Sequence, residues 1–274
     1  MTTVWAVYFS GTGTTERTVT HIAGELARLL AAPCRSLDFT RPQVRQQELD
    51  FSQSDLVVLG TPVYAGRVPN VLLPFLREKI RGGGALAVPV VLFGNRNYDD
   101  ALIELRDILQ QDGFRCVAAG AFVGEHSFSR TLGAGRPDDG DMAGQAAFAR
   151  EICEKLAGQA GTEMAPVLVR GETPIRPYYT PRDRYGNPIN ILKVKPKTDP
   201  DRCSGCGLCA ELCPMGSIDP ADVSQVRGIC IKCCACVKKC PTGAKYFDHE
   251  GYLYHQHELE DQYAGRRAPS EIFV

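Results

Sequence analysis

Short apolar runs alternate with amphipathic segments from residue 3 to about residue 158. The short runs predict strands, and the segments between them, whose apolar residues recur every three or four positions, predict helices. Strands that alternate with helices are typical of a parallel sheet covered on both faces. The predicted strands are residues 4–9, 34–39, 55–60, 87–94 and 114–123.

Apolar stripes mark the predicted helices as surface helices that face a core. One stripe consists of Val19, Ile22, Ala23, Leu26 and Leu30, and another of Ala101, Leu102, Leu105, Ile108 and Leu109. Pro69 is expected to begin a helix that contains Leu72 and Phe75, and residues 141–156 form the last predicted helix. We therefore predict an α/β fold for residues 1–158, a doubly wound, five-stranded parallel sheet.

The pattern changes after residue 158. Residues 159–198 contain six of the 18 prolines and seven Lys or Arg against three acidic residues, which predicts a proline-rich linker. Two alternatives remain open, a loose tether and a linker held on a domain surface by Tyr178, Tyr179, Ile189, Ile191 and Leu192. The tail, residues 249–274, ends in an apolar stretch that favours packing against a domain, whereas its His249, His255 and His257 are expected on the surface.

Composition and charge narrow the function classes. The chain has 274 residues, 44% of them hydrophobic and 23% charged, with a net charge of −1, so a globular protein is expected and nucleic acid is not an expected partner. The sequence shows neither an apolar run of membrane-spanning length nor the basic start of a signal peptide. We expect no membrane span and a cytoplasmic location.

Nine of the 12 cysteines lie in the last third of the chain, where the pattern C-x2-C-x2-C-x3-C-P occurs twice. The two runs are Cys203, Cys206, Cys209, Cys213 and Cys230, Cys233, Cys236, Cys240. Every element recurs after 27 residues, which indicates an internal duplication. Cys234 has no counterpart in the first run and is the spare thiol. The other three, Cys34, Cys116 and Cys153, are expected to be small buried apolar residues.

Iron and sulfur fit these runs better than the alternatives. Zinc sites usually pair two C-x2-C units or add histidines, and no His lies between Cys203 and Cys240. A disulfide framework would be typical of a secreted chain, which the α/β pattern does not favour. The pattern is that of 4Fe-4S ligation.

Residues 199–248 resemble the bacterial two-cluster ferredoxins on these motifs. In such runs the fourth cysteine binds the other cluster. The resemblance therefore implies one 4Fe-4S cluster on Cys203, Cys206, Cys209 and Cys240, and a second on Cys230, Cys233, Cys236 and Cys213. Lys232, Lys238 and Lys239 flank the second run, while acidic residues flank the first, so we predict the higher potential for the second cluster.

A second candidate site follows the first strand, at Ser10-Gly11-Thr12-Gly13-Thr14-Thr15. Glycines allow a tight turn into a helix, whose N-terminus attracts anions. This loop lacks the third glycine of the dinucleotide-binding fingerprint. It also lacks the lysine of a nucleotide-triphosphate loop. A phosphate monoester fits best, although an ordinary capped strand-to-helix turn stays open as an alternative.

The N-terminal region resembles flavodoxin, whose phosphate loop has the pattern Ser/Thr-x-Thr-Gly-x-Thr, matched by Ser10, Thr12, Gly13 and Thr15. The resemblance implies bound FMN, the strand order 2-1-3-4-5, and two loops around the flavin ring, with Tyr64 and Tyr98 as stacking candidates; a purely structural role for each tyrosine stays open. His126 borders the same edge of the sheet. It is expected either to contact the flavin rim or a substrate, or to have a purely structural role. The implied FMN residues are Ser10, Gly11, Thr12, Gly13, Thr14, Thr15, Pro62, Val63, Tyr64, Gly66, Gly94, Asn95, Arg96, Tyr98 and Asp99.

Taken together, the chain resembles the flavodoxin-ferredoxin fusion proteins of anaerobes. That resemblance implies an iron-sulfur flavoprotein that relays low-potential electrons between two 4Fe-4S clusters and FMN, and to or from a redox partner protein, a ferredoxin or an oxidoreductase. The alternative is a self-sufficient flavin-dependent reductase of a small molecule. A homodimer, in which the clusters of one chain face the flavin of the other, is a further expectation.

Overall fold

The computed structural model describes residues 2–158 and 165–274. Its helices are α1 (Thr14–Leu29), α2 (Leu73–Lys79), α3 (Ala101–Gln111), α4 (Asp139–Gly158), α5 (Leu208–Glu211), α6 (Ala235–Lys238) and α7 (Glu250–Tyr263). Its strands are β1 (Thr3–Tyr8), β2 (Cys34–Asp38), β3 (Leu49–Asp50), β4 (Asp55–Pro62), β5 (Ile80–Arg81), β6 (Leu86–Phe93), β7 (Arg115–Cys116), β8 (Ala119–Val123), β9 (Lys197–Thr198), β10 (Lys245–Tyr246) and β11 (Glu271–Phe273). Within the described ranges, every helix is too short or too polar to cross a membrane.

The main sheet runs in the order β11-β8-β6-β4-β1-β2, with β7 paired to the start of β6. Strands β2, β1, β4, β6 and β8 are parallel and correspond to the five predicted strands. The predicted α/β class with a parallel central sheet is confirmed. The two-residue strands β3 and β5 form a separate parallel pair.

Two apolar cores lie on the two faces of this sheet. Helices α1 and α4 cover one face, where Val19, Ile22 and Leu26 of the first predicted stripe are fully buried beside Phe148 and Ile152. Helices α2 and α3 cover the other face. The predicted stripes are therefore the core-facing sides of their helices, and the carboxyl ends of the parallel strands are left to build a site.

The predicted strand 114–123 is split in two, and Pro89 gives the physical reason. Ala87 of β6 accepts a hydrogen bond from the Val117 N–H, so every second residue of β6 presents its backbone to this neighbour. Pro89 is the next such residue, and it has no N–H to donate. Pairing therefore ends with β7 and resumes with β8 at Val90, opposite Gly120.

The tail extends the sheet beyond the five predicted strands. Strand β11 pairs antiparallel with β8, with Ile272 opposite Gly120. Helix α7 precedes it and buries Tyr252, His255 and Leu259. The predicted packing of the apolar end against a domain is thus observed, whereas the prediction of His255 as a surface residue is wrong, because its ring stacks on Tyr179 at 6.1 Å and meets Phe128 edge-on.

The described part of the predicted linker packs first on the N-terminal region, where Val167 is buried in the core, and then on the cysteine segment, where Val194 lies beside Cys234; residues 159–164 are outside the described residues. Arg176 binds the buried Asp100 carboxylate with its guanidinium and its backbone N–H, at 2.6 to 2.9 Å. The Tyr178 hydroxyl donates to the Val68 carbonyl at 2.8 Å. Leu192, expected as an anchor, is 79% exposed. Polar and apolar contacts together hold this segment in place.

The cysteine segment, residues 199–248, keeps its duplication in the backbone. Gly205 and Gly207 adopt left-handed conformations, and so do Lys232 and Cys234, which stand 27 residues later. Gly207 and Cys234 are also the residues that begin α5 and α6. The extra cysteine therefore occupies a position where the first copy has glycine. Cys34 is exposed, contrary to expectation, because β2 is an edge strand.

Candidate cofactor sites

The phosphate-type loop lies between the end of β1 and the start of α1. The Ser10 hydroxyl accepts hydrogen bonds from the backbone N–H groups of Gly13 and Glu16, both at 3.1 Å. Since this oxygen accepts two bonds, its own proton is left to donate. Gly13 has φ 104°, a left-handed value suited to glycine, and begins the 16-residue helix α1. The loop thus offers hydroxyl and backbone donors at a helix N-terminus.

A cavity of about 460 Å³ opens beside this loop at the carboxyl edge of the sheet, and we call it the loop cavity. Eight of the predicted FMN residues line it: Gly11, Thr12, Thr14, Thr15, Pro62, Val63, Tyr64 and Gly94. The other lining residues are Leu92, Phe93, Gly124, Glu125, His126, Ser127 and Cys233. Ser10 and Gly13 stand behind the lining and shape the turn.

The loop after β6 contributes only Gly94 to the lining of this cavity. The amide of Asn95 donates to the carbonyls of Tyr263 and Arg266 at 2.8 and 2.9 Å, and accepts from the Ala268 N–H at 2.9 Å. Arg96 pairs with Asp99. These side chains bind the C-terminal tail and each other.

Tyr98 and Gly66 are also placed away from the loop cavity. The Tyr98 ring is 1% exposed, packs on Phe93, and has Arg170 over it at 4.9 Å. Its hydroxyl donates to Glu271 of β11 at 2.6 Å. Gly66 has φ 77° and makes room for Asp99, whose Oδ2 would lie 2.5 Å from an added Cβ. Phe93 and Arg170 already pack against the Tyr98 ring, and the stacking role of this residue stays a prediction.

Tyr64 and His126 are the ring-bearing polar residues of the loop cavity. Burial raises the pKa of Tyr64 well above its ordinary value, and the nearby Cys233, Cys234 and Cys230 raise it further. Burial, followed by the positive charges of Lys238, His255 and Arg96, lowers the pKa of His126 to about 3. Its Nδ1 accepts from the Phe128 N–H at 3.1 Å, so the neutral ring carries its proton on Nε2. His126 is a neutral hydrogen-bond donor at this cavity.

The eight predicted cluster ligands surround two further cavities in sets of four. Cys213, Cys230, Cys233 and Cys236 line one of about 380 Å³, the inner cavity. Cys203, Cys206, Cys209 and Cys240 line the other, of about 320 Å³, the outer cavity. Each set thus joins three cysteines of one run with the fourth of the other. Equivalent bonds support the two fourth cysteines: Ser217 N–H donates to the Cys213 sulfur at 3.3 Å, and Ala244 N–H to the Cys240 sulfur at 3.2 Å.

The chemistry of these donors fits iron-sulfur clusters. Burial raises the pKa of Cys233 to about 12 and raises the pKa values of Cys230 and Cys236. Such thiols ionise only next to compensating positive charge, which a bound metal centre provides. At Cys240, hydrogen bonds from Thr242 and nearby backbone N–H groups outweigh burial and lower the pKa to about 7. In the described parts of the chain, no three His, Cys, Asp or Glu side chains are grouped to hold a single metal ion.

The two cysteine sets differ in exposure and in their neighbours. Cys233 and Cys236 of the inner set are buried, whereas Cys206 of the outer set is exposed. Cys233 lines both the inner cavity and the loop cavity. The spare thiol, Cys234, is buried against the Tyr252 hydroxyl at 3.3 Å. The inner set therefore lies beside the loop cavity, and the outer set lies toward solvent.

Lys238 holds the cysteine segment against the loop after β8. Its Nζ pairs with the Glu125 carboxylate and donates to the carbonyls of His126, at 2.7 Å, and Ser129. Lys238 follows the inner ligand Cys236 on α6, and its three partners belong to the loop that lines the loop cavity. Glu125 offsets the charge of Lys238, and the difference in potential between the clusters stays a prediction.

Sequence reasoning named the loop after β8 but did not include its residues in the site. Gly124, Glu125 and Ser127 lack a motif that distinguishes them from an ordinary loop. Their position after a parallel strand, at the same edge as the phosphate-type loop, is the signal that could have found them. The contribution of Cys233 to the loop cavity has no such signal, because it depends on how the cysteine segment docks.

Comparisons with known proteins agree with this geometry. A family model described as a flavodoxin domain matches residues 6–112, and one described as a 4Fe-4S binding domain matches residues 196–219. No curated protein matches the chain.

Similar solved structures include two flavodoxins and an oxidoreductase. A flavodoxin from the domain Archaea is 13% identical, with 57% of this chain and 99% of that chain covered and a TM-score of 0.42. Flavodoxin 2 from Bacillus cereus is 17% identical, with 57% and 99% covered and a TM-score of 0.38. The rubredoxin oxygen:oxidoreductase of Desulfovibrio gigas is 15% identical, with 58% and 37% covered and a TM-score of 0.40.

The chain thus carries a flavodoxin domain and a 4Fe-4S binding domain, as the two family models define them. More particularly, the chain is a fusion of an N-terminal flavodoxin domain and a C-terminal 4Fe-4S ferredoxin domain.

Proposed function

We propose that the chain relays electrons one at a time between a redox partner protein and FMN in its loop cavity. The outer cysteine set faces the partner, and the inner set lies between the outer set and the flavin. Bound FMN exchanges one or two electrons, and each 4Fe-4S cluster exchanges one. The observation that carries the proposal is the shared residue Cys233, which lines both the inner cavity and the loop cavity.

The chain's own residues have distinct tasks in this relay. Thr12, Thr14 and Thr15, which line the loop cavity at the start of α1, would hold the phosphate with hydroxyl and backbone donors. His126 presents a neutral N–H to the cavity, and Tyr64 covers it at the side of Cys233. The apolar residues around the inner cavity, among them Ile218, Ile231 and Phe247, keep water from the inner sulfurs.

The residues that surround the loop cavity favour the relay over the reductase. The cysteine segment supplies Cys233 to the wall of the loop cavity. The tail is hydrogen-bonded to Asn95 in the loop that begins at Gly94. Both leave less room for a small-molecule substrate. Because one chain brings its own cysteines to its own loop cavity, the relay does not require the homodimer, which stays a prediction.

The test compares Cys206→Ala with Cys234→Ala. Cys206 belongs to the outer set, and Cys234 is the spare thiol. We expect Cys206→Ala to lose about half of the iron, to keep FMN, and to slow flavin reduction by a reduced two-cluster ferredoxin by an order of magnitude. Cys234→Ala should keep the full iron content and the rate.

Two results would contradict the relay. Unchanged ferredoxin-driven reduction in Cys206→Ala would show that electrons bypass the outer set. Rapid reoxidation of the flavin by one small molecule, with no protein partner present, would instead support the reductase.

A further inference from the structure

Gly11 is the point at which the phosphate-type loop touches the cysteine segment. A Cβ atom at this position would lie 3.1 Å from the Cβ of Cys233, 3.6 Å from its Sγ and 3.7 Å from its carbonyl oxygen. All three nearest atoms belong to one inner-set cysteine. The space that a side chain at position 11 would need is therefore filled by a predicted cluster ligand.

The two glycines of this loop are required for different reasons. Gly13 has φ 104°, and nothing in the described structure lies within 4 Å of its Cβ position, so backbone conformation alone selects glycine there. Gly11 lies outside the left-handed region, and any residue could adopt its backbone conformation. It also occupies a variable position of the pattern Ser/Thr-x-Thr-Gly-x-Thr. The approach of Cys233 is the constraint at position 11, where an added Cβ would force one of the two segments to give by a few tenths of an ångström.

Cys233 is the less yielding partner in this contact. It is buried, and its two chain neighbours, Lys232 and Cys234, both hold left-handed conformations. Lys238, further along the same turn and helix, is fastened to the loop after β8. A methyl group added at position 11 would therefore displace the phosphate-type loop, whose Gly11 and Thr12 line the loop cavity.

We propose that Gly11 is a positioning residue that sets the separation between the inner cysteine set and the flavin site, and that FMN affinity is coupled to Cys233 through this contact. This proposal rests on one part of the proposed function, namely that FMN and the clusters bind at these sites. A side chain at position 11 would weaken FMN binding because of Cys233, not because the loop itself needs glycine.

The test is a double-mutant cycle read by FMN dissociation constants, measured by fluorescence on the full chain. We expect Gly11→Ala to weaken FMN binding several-fold when Cys233 is present. In the Cys233→Gly background, which removes the clashing Cβ, the same substitution should leave the dissociation constant unchanged. Gly24→Ala is the matched control, since Gly24 lies on α1 and its Cβ position is open within the described structure.

Equal weakening in both backgrounds would overturn the proposal, because the methyl group would then act on the loop directly. No weakening in the Cys233 background would overturn it as well. Iron content, measured on every variant, shows whether the inner set is still loaded. Since FMN affinity is measured without any electron donor, a failure of the relay itself would leave this result interpretable.

Discussion

Lys232 and Cys234 retain backbone conformations that the first copy of the motif gives to glycine. Left-handed backbone costs a residue with a Cβ on the order of 1 kcal/mol or more, so the surroundings must hold it there. The Lys232 amine donates to the carbonyls of Leu192 and Cys230, both at 3.0 Å, and Cys234 is bonded to Tyr252. The sequence repeat predicted which cysteines are equivalent, whereas these supporting contacts come from the linker and the tail.

Asp112 gives a prediction at the scale of one carboxyl group. Its Oδ2 is buried with no hydrogen-bond partner among the described residues, and burial, partly offset by Arg81 and Arg77, raises its pKa to about 6. The folded protein thus binds this proton more tightly than the unfolded chain, and that stabilisation is lost as the pH rises from about 4 to 6. We expect Asp112→Asn to stabilise the protein at pH 7.5 by about 1 kcal/mol, after allowance for partial solvent screening.

Thermal unfolding of the wild type and of Asp112→Asn at pH 4.5 and 7.5 measures this effect. The gain should be largest at pH 7.5 and shrink toward pH 4.5. Asp261→Asn, at an exposed position on α7, is the control and should show no such trend. A gain of equal size at both pH values would refute the assignment to this carboxyl.

The loop that joins β6 to α3 shows, at the scale of elements, where sequence reasoning succeeded and where it did not. Its polar residues follow a parallel strand, the position at which α/β proteins bind ligands, and Gly94 does line the cavity. Asn95 and Tyr98 instead bind the tail, because an amide or a hydroxyl recognises backbone or carboxylate groups of the chain as well as those of a ligand. Helix stripes and strand runs were predictable from their periodicity. A three-residue strand such as β11 has too few positions to show any.

The tail's attachment to this loop gives the second prediction at this scale. Removing the Asn95 amide deletes three hydrogen bonds of about 1 kcal/mol each. We expect Asn95→Gly, which keeps the observed φ of 63° accessible, to lower stability by about 2 to 3 kcal/mol and, by releasing the backbone at the exposed Arg266 and Arg267, to speed trypsin cleavage there. Limited proteolysis followed by mass spectrometry detects the cut.

Asn97→Gly is the matched control in the same loop. Asn97 is exposed, and its side-chain oxygen accepts a bond from the Asp99 N–H within the loop. Cleavage at the same rate in both variants would show that the Asn95 amide does not hold the tail.

At the scale of the whole molecule, the docking of the two domains depends on contacts that no sequence pattern announces. Lys238 and Lys239 are neighbours in the second cysteine run, and both were predicted to act through charge. The structure buries the first against Glu125 and leaves the second exposed. The rotation of helix α6 determines which lysine faces the other domain. This helix has four residues and is too short to show an amphipathic pattern.

We expect Lys238→Met to loosen the docking of the cysteine segment, because Glu125 loses its counter-charge and two carbonyls lose a donor. Hydrogen bonds to a charged group contribute about 1.5 to 3 kcal/mol, so the loss should fall in that range. Hydrogen exchange measured by mass spectrometry should become faster in residues 124–129, the loop that Lys238 binds.

Lys239→Met is the control and should leave that exchange unchanged. Equal protection of residues 124–129 in the two variants would show that Lys238 does not anchor the domains.

The pairing of β11 with β8 has a consequence for how the protein is made. A ribosome completes the first 158 residues long before residues 271–273, so the nascent flavodoxin domain waits with the edge of β8 uncovered while the iron-binding region is still being translated. A chain that is released after residue 158 and before residue 271 keeps the edge of β8 unpaired. We expect a chain that ends before residue 271 to be more sensitive to proteases than one that carries β11, because the edge of β8 stays unpaired.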